Sequence, residues 1–469
     1  MTSAARRIRD LPGPRGLPIV GNLHQVEPSR MHVAIEDWSR RYGEYFRVRL
    51  GGREIFVIAN PEAIAGVLRD RPDGFQRTPR LVEAAHEMGF DGLFSANGER
   101  WRRQRPMVMG SFDPGHIKTY FPSLVAVTER FARRWRRAAQ AGADIDLQAD
   151  LMRYTVDVTA GLAFGADINT IESDDEVIQQ HLDKVLPALL KRLFALFPYW
   201  RLFRDRRMQG HISALHRAVD TFIAQARERM ARTPSLREHP SNLIEAMIAA
   251  RDAPGSGLED SDVAGNVLTM LLAGEDTTAN TLAWAIHLLQ RNPEQARRAR
   301  EEVRSVLGEE RLATRYEQLG RLEFVEACAN ETMRLKPVAP IIVLEAVRDS
   351  AVAGVAVPAG SFVMCLMRPG AVDERHFPDA QTFEPARWLA DAGPAALSSA
   401  KRVAMPFGAG PRLCPGRYLA LLEMKMVLAM LLGAFEIESV EAPGGGEPLE
   451  RLAFTMSPVG LRLRLRERA

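Results

Sequence analysis

The stretch Phe407-Gly-Ala-Gly410-Pro-Arg412-Leu-Cys414-Pro-Gly416 sets a cysteine inside a glycine-rich loop, and a long apolar run follows it. Local signals predict a helix opening here, with Cys414 as N-cap, Pro415 at the first helical position and Gly433 closing it after Leu431-Leu432. A sulfur at that place meets backbone N–H groups and the positive end of a helix, both of which favour the thiolate. The glycines remove side chains that would keep a large flat ligand away from the loop. A lone cysteine is more often a small buried apolar residue than a ligand. Here the ordered Phe, Gly, Arg and Gly around it argue for the ligand.

These residues resemble the haem-binding signature of the cytochrome P450 family: Phe, two of any residue, Gly, any, Arg, any, Cys, any, Gly. Phe407, Gly410, Arg412, Cys414 and Gly416 meet all five specified positions within ten residues. The resemblance implies haem b as cofactor, Cys414 as its axial thiolate ligand and Arg412 as a propionate partner. A strongly donating sulfur on a haem iron favours O–O cleavage. It also implies a mainly α fold with a small β region and a long central helix crossing the haem.

The rest of the chain agrees. Its 469 residues hold no evident linker or repeat, and the Pro/Gly/Ser-rich stretches, Asp252–Gly257 and Ala442–Glu447, are short enough to be surface loops. The expectation is one domain over 11–469 preceded by a flexible tail, 1–10. A net charge of +3 with 26% charged residues argues against a dedicated nucleic-acid binder. The basic run Arg130–Arg137 reads as a solvated helix face. Three cysteines, Cys328, Cys365 and Cys414, offer no disulfide framework and point to a reducing compartment. No apolar stretch precedes the hinge Leu11-Pro-Gly-Pro-Arg-Gly-Leu-Pro18, where membrane-bound members of the family carry an anchor. The expectation is therefore a cytoplasmic, bacterial, monomeric enzyme.

Residues 31–42 read as a short helix, and 45–50 and 54–58 as strands. Helical periodicity then dominates to about 336, and strands return at 351–357, 361–367, 434–440 and 452–465. Asp260 to Gln290 reads as one helix that opens on acids and ends before Asn292-Pro293. Its apolar run is broken by Glu275 and Asp276, which speaks against a membrane span. In Ala273-Gly274-Glu275-Asp276-Thr277-Thr278, Ala273 and Gly274 leave room beside the backbone. Thr277, four residues after Ala273, can compete for its carbonyl. The segment resembles the family's central-helix motif, which implies that Thr277 hydrogen-bonds bound oxygen and Asp276 delivers protons.

Glu331 and Arg334 stand one turn apart. With Arg387 in Phe383-Glu-Pro-Ala-Arg387-Trp388 they match the family's brace for the cysteine loop. Trp101 and Arg105 lie at i and i+4 and match its propionate-binding helix; with Arg412 they give three propionate partners. Two positions depart from the pattern. Leu344 stands where many members have another propionate-binding Arg, and Ala371-Val372 replaces a frequent His-Arg pair.

The resemblance places the pocket wall at 81–94, 269–273, 338–343 and 454–456, mostly apolar residues that imply a hydrophobic substrate. The apolar, aromatic segment 186–203 reads as packing, a substrate entrance or a membrane contact. Electrons are expected from a separate ferredoxin or flavodoxin, docked on Arg102, Arg103, Lys401, Arg402 and Lys425. The leading reading is a monooxygenase. The alternatives are a peroxygenase, isomerase or dehydratase that needs no reductase, and a non-catalytic haem sensor or carrier.

Overall fold

The central helix, Asp260–Arg291, organises the molecule. Glu259 and Asp262 form a capping box at its start, and Pro293 opens the next helix just past its end. Its 32 residues span about 48 Å. Leu282, Ala283, Trp284, Ala285 and Ile286 are fully buried in succession, so this helix is enclosed on all sides over its second half. It packs on the helices Leu147–Phe164, Glu323–Leu335 and Arg417–Ala434. The computed structural model describes residues 6–112, 114–173, 178–195, 197–202, 205–390 and 393–468.

The β region is a set of small sheets flanking this helical body. The largest has five strands in the order Tyr45–Leu50, Arg53–Ile58, Phe362–Leu366, Ile341–Ala346 and Phe75–Arg77. The expected strand at 351–357 is instead a hairpin, Ser350–Val352 and Val355–Val357, turned at Ala353-Gly354, both at positive φ. The strand Ile341–Ala346 overlaps the strand that the resemblance places at 338–343, starting three residues later and ending three residues further on. Its apolar residues carry no alternation, and it becomes a strand by pairing on both edges. Tyr45–Leu50 and the helix Met31–Tyr42 fall where the sequence places them.

Two terminal expectations change. Arg6–Arg7 pairs in parallel with Val355–Ala356 and Ile8 is buried, so Arg6–Ile8, expected as part of a flexible tail, pack against the body. The apolar helix after the cysteine runs from Arg417 to Ala434 with Gly416 as N-cap, not from Pro415 with Cys414 as N-cap. Gly433 lies inside it, and the chain passes directly into the strand Phe435–Glu441.

Candidate functional site

The cysteine loop sits on the helix Pro61–Arg69. Gly410 has φ +72°, and a Cβ there would lie 2.6 Å from the Leu68 carbonyl oxygen and the Arg69 Cα. This glycine is required by the loop's seat on that helix rather than by space for a ligand. Gly416, at φ −83°, would bring a Cβ only to ordinary contact with Phe112. The Cys414 N–H donates to the Phe407 carbonyl oxygen at 3.1 Å, which closes the loop, and the Gly416 N–H donates to the cysteine sulfur. Burial pushes the Cys414 thiol up, against the Gly416 N–H and the charges of Arg105 and Arg417. The loop alone thus leaves a thiol; coordination to a metal ion is what would ionise it.

Beside the loop lies a group of guanidiniums, Arg71 buried and Arg77, Arg105 and Arg412 half-buried, without carboxylate partners among the described residues. Burial, then Arg71 and Arg105, bring Arg412 down to about 9, and its Nη1 has no hydrogen-bond partner. Burial brings Arg71 down to about 10 and leaves its Nε and Nη2 unpartnered. Arg77 is lowered chiefly by loss of hydration and then by Arg71 and Arg412, and its guanidinium covers the Phe94 ring at 4.2 Å. Arg105 is lowered chiefly by burial and donates to the Leu413 carbonyl oxygen at 2.7 Å. Arg412 lies over the Trp101 ring at 5.1 Å. Uncompensated buried cations are costly, and a ligand bearing carboxylates relieves that cost. The structure brings Cys414, Trp101, Arg105 and Arg412 together, and their donors and charge are of a kind that a haem with two propionates would fit. Arg71 and Arg77 are additions. Arg77 is paired across the sheet with Leu344, so the cation missing at Leu344 stands on the adjacent strand.

On the central helix the Thr277 hydroxyl donates to the Ala273 carbonyl oxygen at 2.8 Å. Ala273 is exposed in mid-helix, so this turn faces open space. Gly274 does not face that space: a Cβ there would lie 2.5 Å from the Thr159 hydroxyl, so this glycine lets two helices pack. Asp276 accepts from Asn280 Nδ2 at 2.7 Å and from the Thr455 hydroxyl. Burial still pushes its carboxyl above the usual range. Two residues on, round the helix from Asp276, Thr278 donates to Glu423, a wholly buried carboxyl that burial pushes up to about 8. Phe94 and Phe454 meet edge to face, ring centres 5.7 Å apart, across the pocket wall.

Glu331 and Arg334 of the brace are fully enclosed, and Arg387 is half-buried. Arg334 makes two hydrogen bonds to Glu331, at 2.7 and 2.8 Å, and donates to the carbonyls of Ala371, Ala380 and Thr382. Arg387 stands 3.4 Å from Glu331, which also accepts from Trp388 Nε1 at 2.9 Å. Two of the five expected docking cations are already engaged. Lys425 lies on the buried helix and donates to Glu326 at 2.6 Å, and Arg102 pairs with Glu99 and Asp73. Arg103, Lys401 and Arg402 are exposed. Within the segment 186–203, Leu186 and Leu189 are core residues, while Trp200 and Arg201 bond Glu87. Leu196 and Phe203 lie outside the described residues.

A family model described as cytochrome P450 matches residues 11–465. Pentalenene oxygenase of Streptomyces avermitilis is 28% identical over 97% of this chain and 97% of its own length. Cytochrome P450 84A4 of Arabidopsis thaliana is 26% identical over 92% of this chain and 89% of its own. A self-sufficient cytochrome P450 monooxygenase of Aspergillus terreus is 26% identical over 98% of this chain, which spans 43% of that relative's length. A match over nearly the whole chain, with the cysteine loop and brace in place, means that this chain belongs to the cytochrome P450 family.

Proposed function

We propose that the chain is a haem-thiolate monooxygenase that inserts one oxygen atom from O2 into a hydrophobic organic substrate. The observation that carries this reading is the cysteine loop lying against arginines that lack carboxylate partners among the described residues. Cys414 would hold the iron of haem b. Arg412, Arg105 and Trp101 would hold its propionates, joined by Arg77 in place of Leu344. Bound there, the haem supplies O2 binding and activation. The Thr277 hydroxyl, anchored on the Ala273 carbonyl, and the Asp276 carboxyl behind it form an acid–alcohol pair that moves protons toward the open side of the helix. Phe94 and Phe454 close an apolar wall that excludes water from that side.

Electrons arrive from a separate ferredoxin or flavodoxin, for which the exposed Arg103, Lys401 and Arg402 offer positive charge. All three cysteines are free, in keeping with the reducing cytoplasm. Among the described residues no helix is long and apolar enough to cross a membrane. The reading is tested by the reduced carbon-monoxide difference spectrum of the haem-loaded chain. A thiolate-type band is expected, and its loss in Cys414→Ser; a band unchanged in that variant overturns the assignment.

A further inference from the structure

The hairpin Glu450–Leu452 and Met456–Pro458 closes over only three residues, Ala453, Phe454 and Thr455. Phe454, at the apex, has φ +90°, a conformation that residues with a Cβ rarely adopt and that persists only when the surroundings impose it. The Ala453 N–H donates back to the Thr455 carbonyl oxygen at 2.9 Å, and the Met456 N–H donates to the Val338 carbonyl oxygen at 2.8 Å. The Phe454 ring is wedged against Phe94, whose face is covered by Arg77. This wedge fixes the next residue. The Thr455 hydroxyl donates to one carboxylate oxygen of Asp276 while Asn280, itself accepting from Gln148 at 2.9 Å, donates to the other. Asp276 is thus gripped from its own helix on one side and from the pocket wall on the other.

We propose that Thr455 is the positioning residue for Asp276, and that the strained Phe454 apex sets its grip. This rests on the monooxygenase reading, in which Asp276 handles protons. Without the Thr455 donor the carboxyl loses the larger of the contacts that oppose its burial, so its proton is held more tightly and its orientation is no longer fixed.

The test uses the full haem-loaded chain and the variants Thr455→Val, which keeps the shape and removes the hydroxyl, Thr455→Ser, which keeps the hydroxyl, and Phe454→Ala. The Asp276 carboxyl stretch is followed by difference infrared spectroscopy and assigned by its loss in Asp276→Asn. A plant-type ferredoxin with its reductase supplies electrons, and the share released as hydrogen peroxide is measured in H2O and D2O. In Thr455→Val the carboxyl band moves, the peroxide share rises about tenfold and its solvent isotope effect grows. Thr455→Ser restores all three. Phe454→Ala, which keeps the Thr455 hydroxyl, moves the band in the same direction. An unmoved band and unchanged peroxide share in Thr455→Val reject the positioning role. A Thr455→Ser that behaves like Thr455→Val rejects the hydroxyl as its agent, and an unmoved band in Phe454→Ala rejects the apex. The infrared band is readable whether or not the chain turns over, so failure here is distinct from a missing thiolate band.

Discussion

The Arg77 guanidinium is half-buried, lies on the Phe94 ring at 4.2 Å, and has Arg71 and Arg412 as its charged neighbours. Its Nε donates to the Phe94 carbonyl oxygen at 3.2 Å, which satisfies one donor and compensates no charge. Replacing an uncompensated buried cation with an apolar side chain of similar length stabilises a fold, whereas removing it from a bound anion weakens the ligand. Arg77→Met is therefore expected to raise the stability of the haem-free chain by about 1–3 kcal/mol. It is also expected to speed haem loss about tenfold. Thermal unfolding of the haem-free chain and haem transfer to a competing apoglobin measure the two effects. Arg77 was not legible in the sequence, because a single Arg in a three-residue strand carries no pattern. Its meaning comes from cross-strand register with Leu344, which only the folded sheet provides. Cys414, by contrast, was legible because five specified positions in one loop constrain each other.

Between the central helix and the helix Arg417–Ala434, Thr278 donates to the buried Glu423. The flanking residues Met424, Met426, Val427 and Leu428 on one helix and Ala279, Leu282 and Ala283 on the other are buried, and the hydroxyls of Tyr120 and Tyr154 lie near enough to feel the Glu423 charge. Glu423 titrates at about 8 in the folded chain and near the ordinary glutamate value of about 4.3 when unfolded. Between those values the folded state holds a proton that the unfolded state has lost, so stability falls as pH rises. Glu423→Gln removes the titration. Its stability is expected to stay level between about pH 5 and pH 8 while that of the parent declines, with an upper limit of about 5 kcal/mol on the difference. Urea unfolding at pH 6 and pH 8.5 reads this directly; parallel declines in both proteins reject it. At this scale the sequence shows element type better than element ends. The loop spends residues 410–412 on a 3-10 turn and the Gly416 N–H on the sulfur. The helix therefore starts at Arg417, although Pro415 would have suited its first turn.

Across the whole molecule, the helical body and small sheets follow from periodicity, while the surface does not. A charge count cannot tell which cations are already engaged, and Lys425 shows the limit. It lies on an apolar helix in the sequence, and in the fold it is buried against Glu326. Arg102 likewise has two carboxylates in reach. Arg103 stands on the helix that carries Trp101 and Arg105, and Lys401 and Arg402 end the helix Pro394–Ala404 that leads into the cysteine loop. Exposed charges flanking the cysteine loop act on an acidic carrier mainly through the encounter, which salt screens within about 8–10 Å. Charge reversal at Arg103 or Arg402 is therefore expected to raise the apparent KM for a plant-type ferredoxin about tenfold at low ionic strength, leaving kcat unchanged. In 0.5 M salt the difference from the parent should collapse. Lys425→Gln, which removes a cation already paired with Glu326, should leave that KM unchanged at either salt concentration. Steady-state reduction with the ferredoxin varied at two salt concentrations decides the matter, and a KM insensitive to both reversals would place the carrier's site elsewhere.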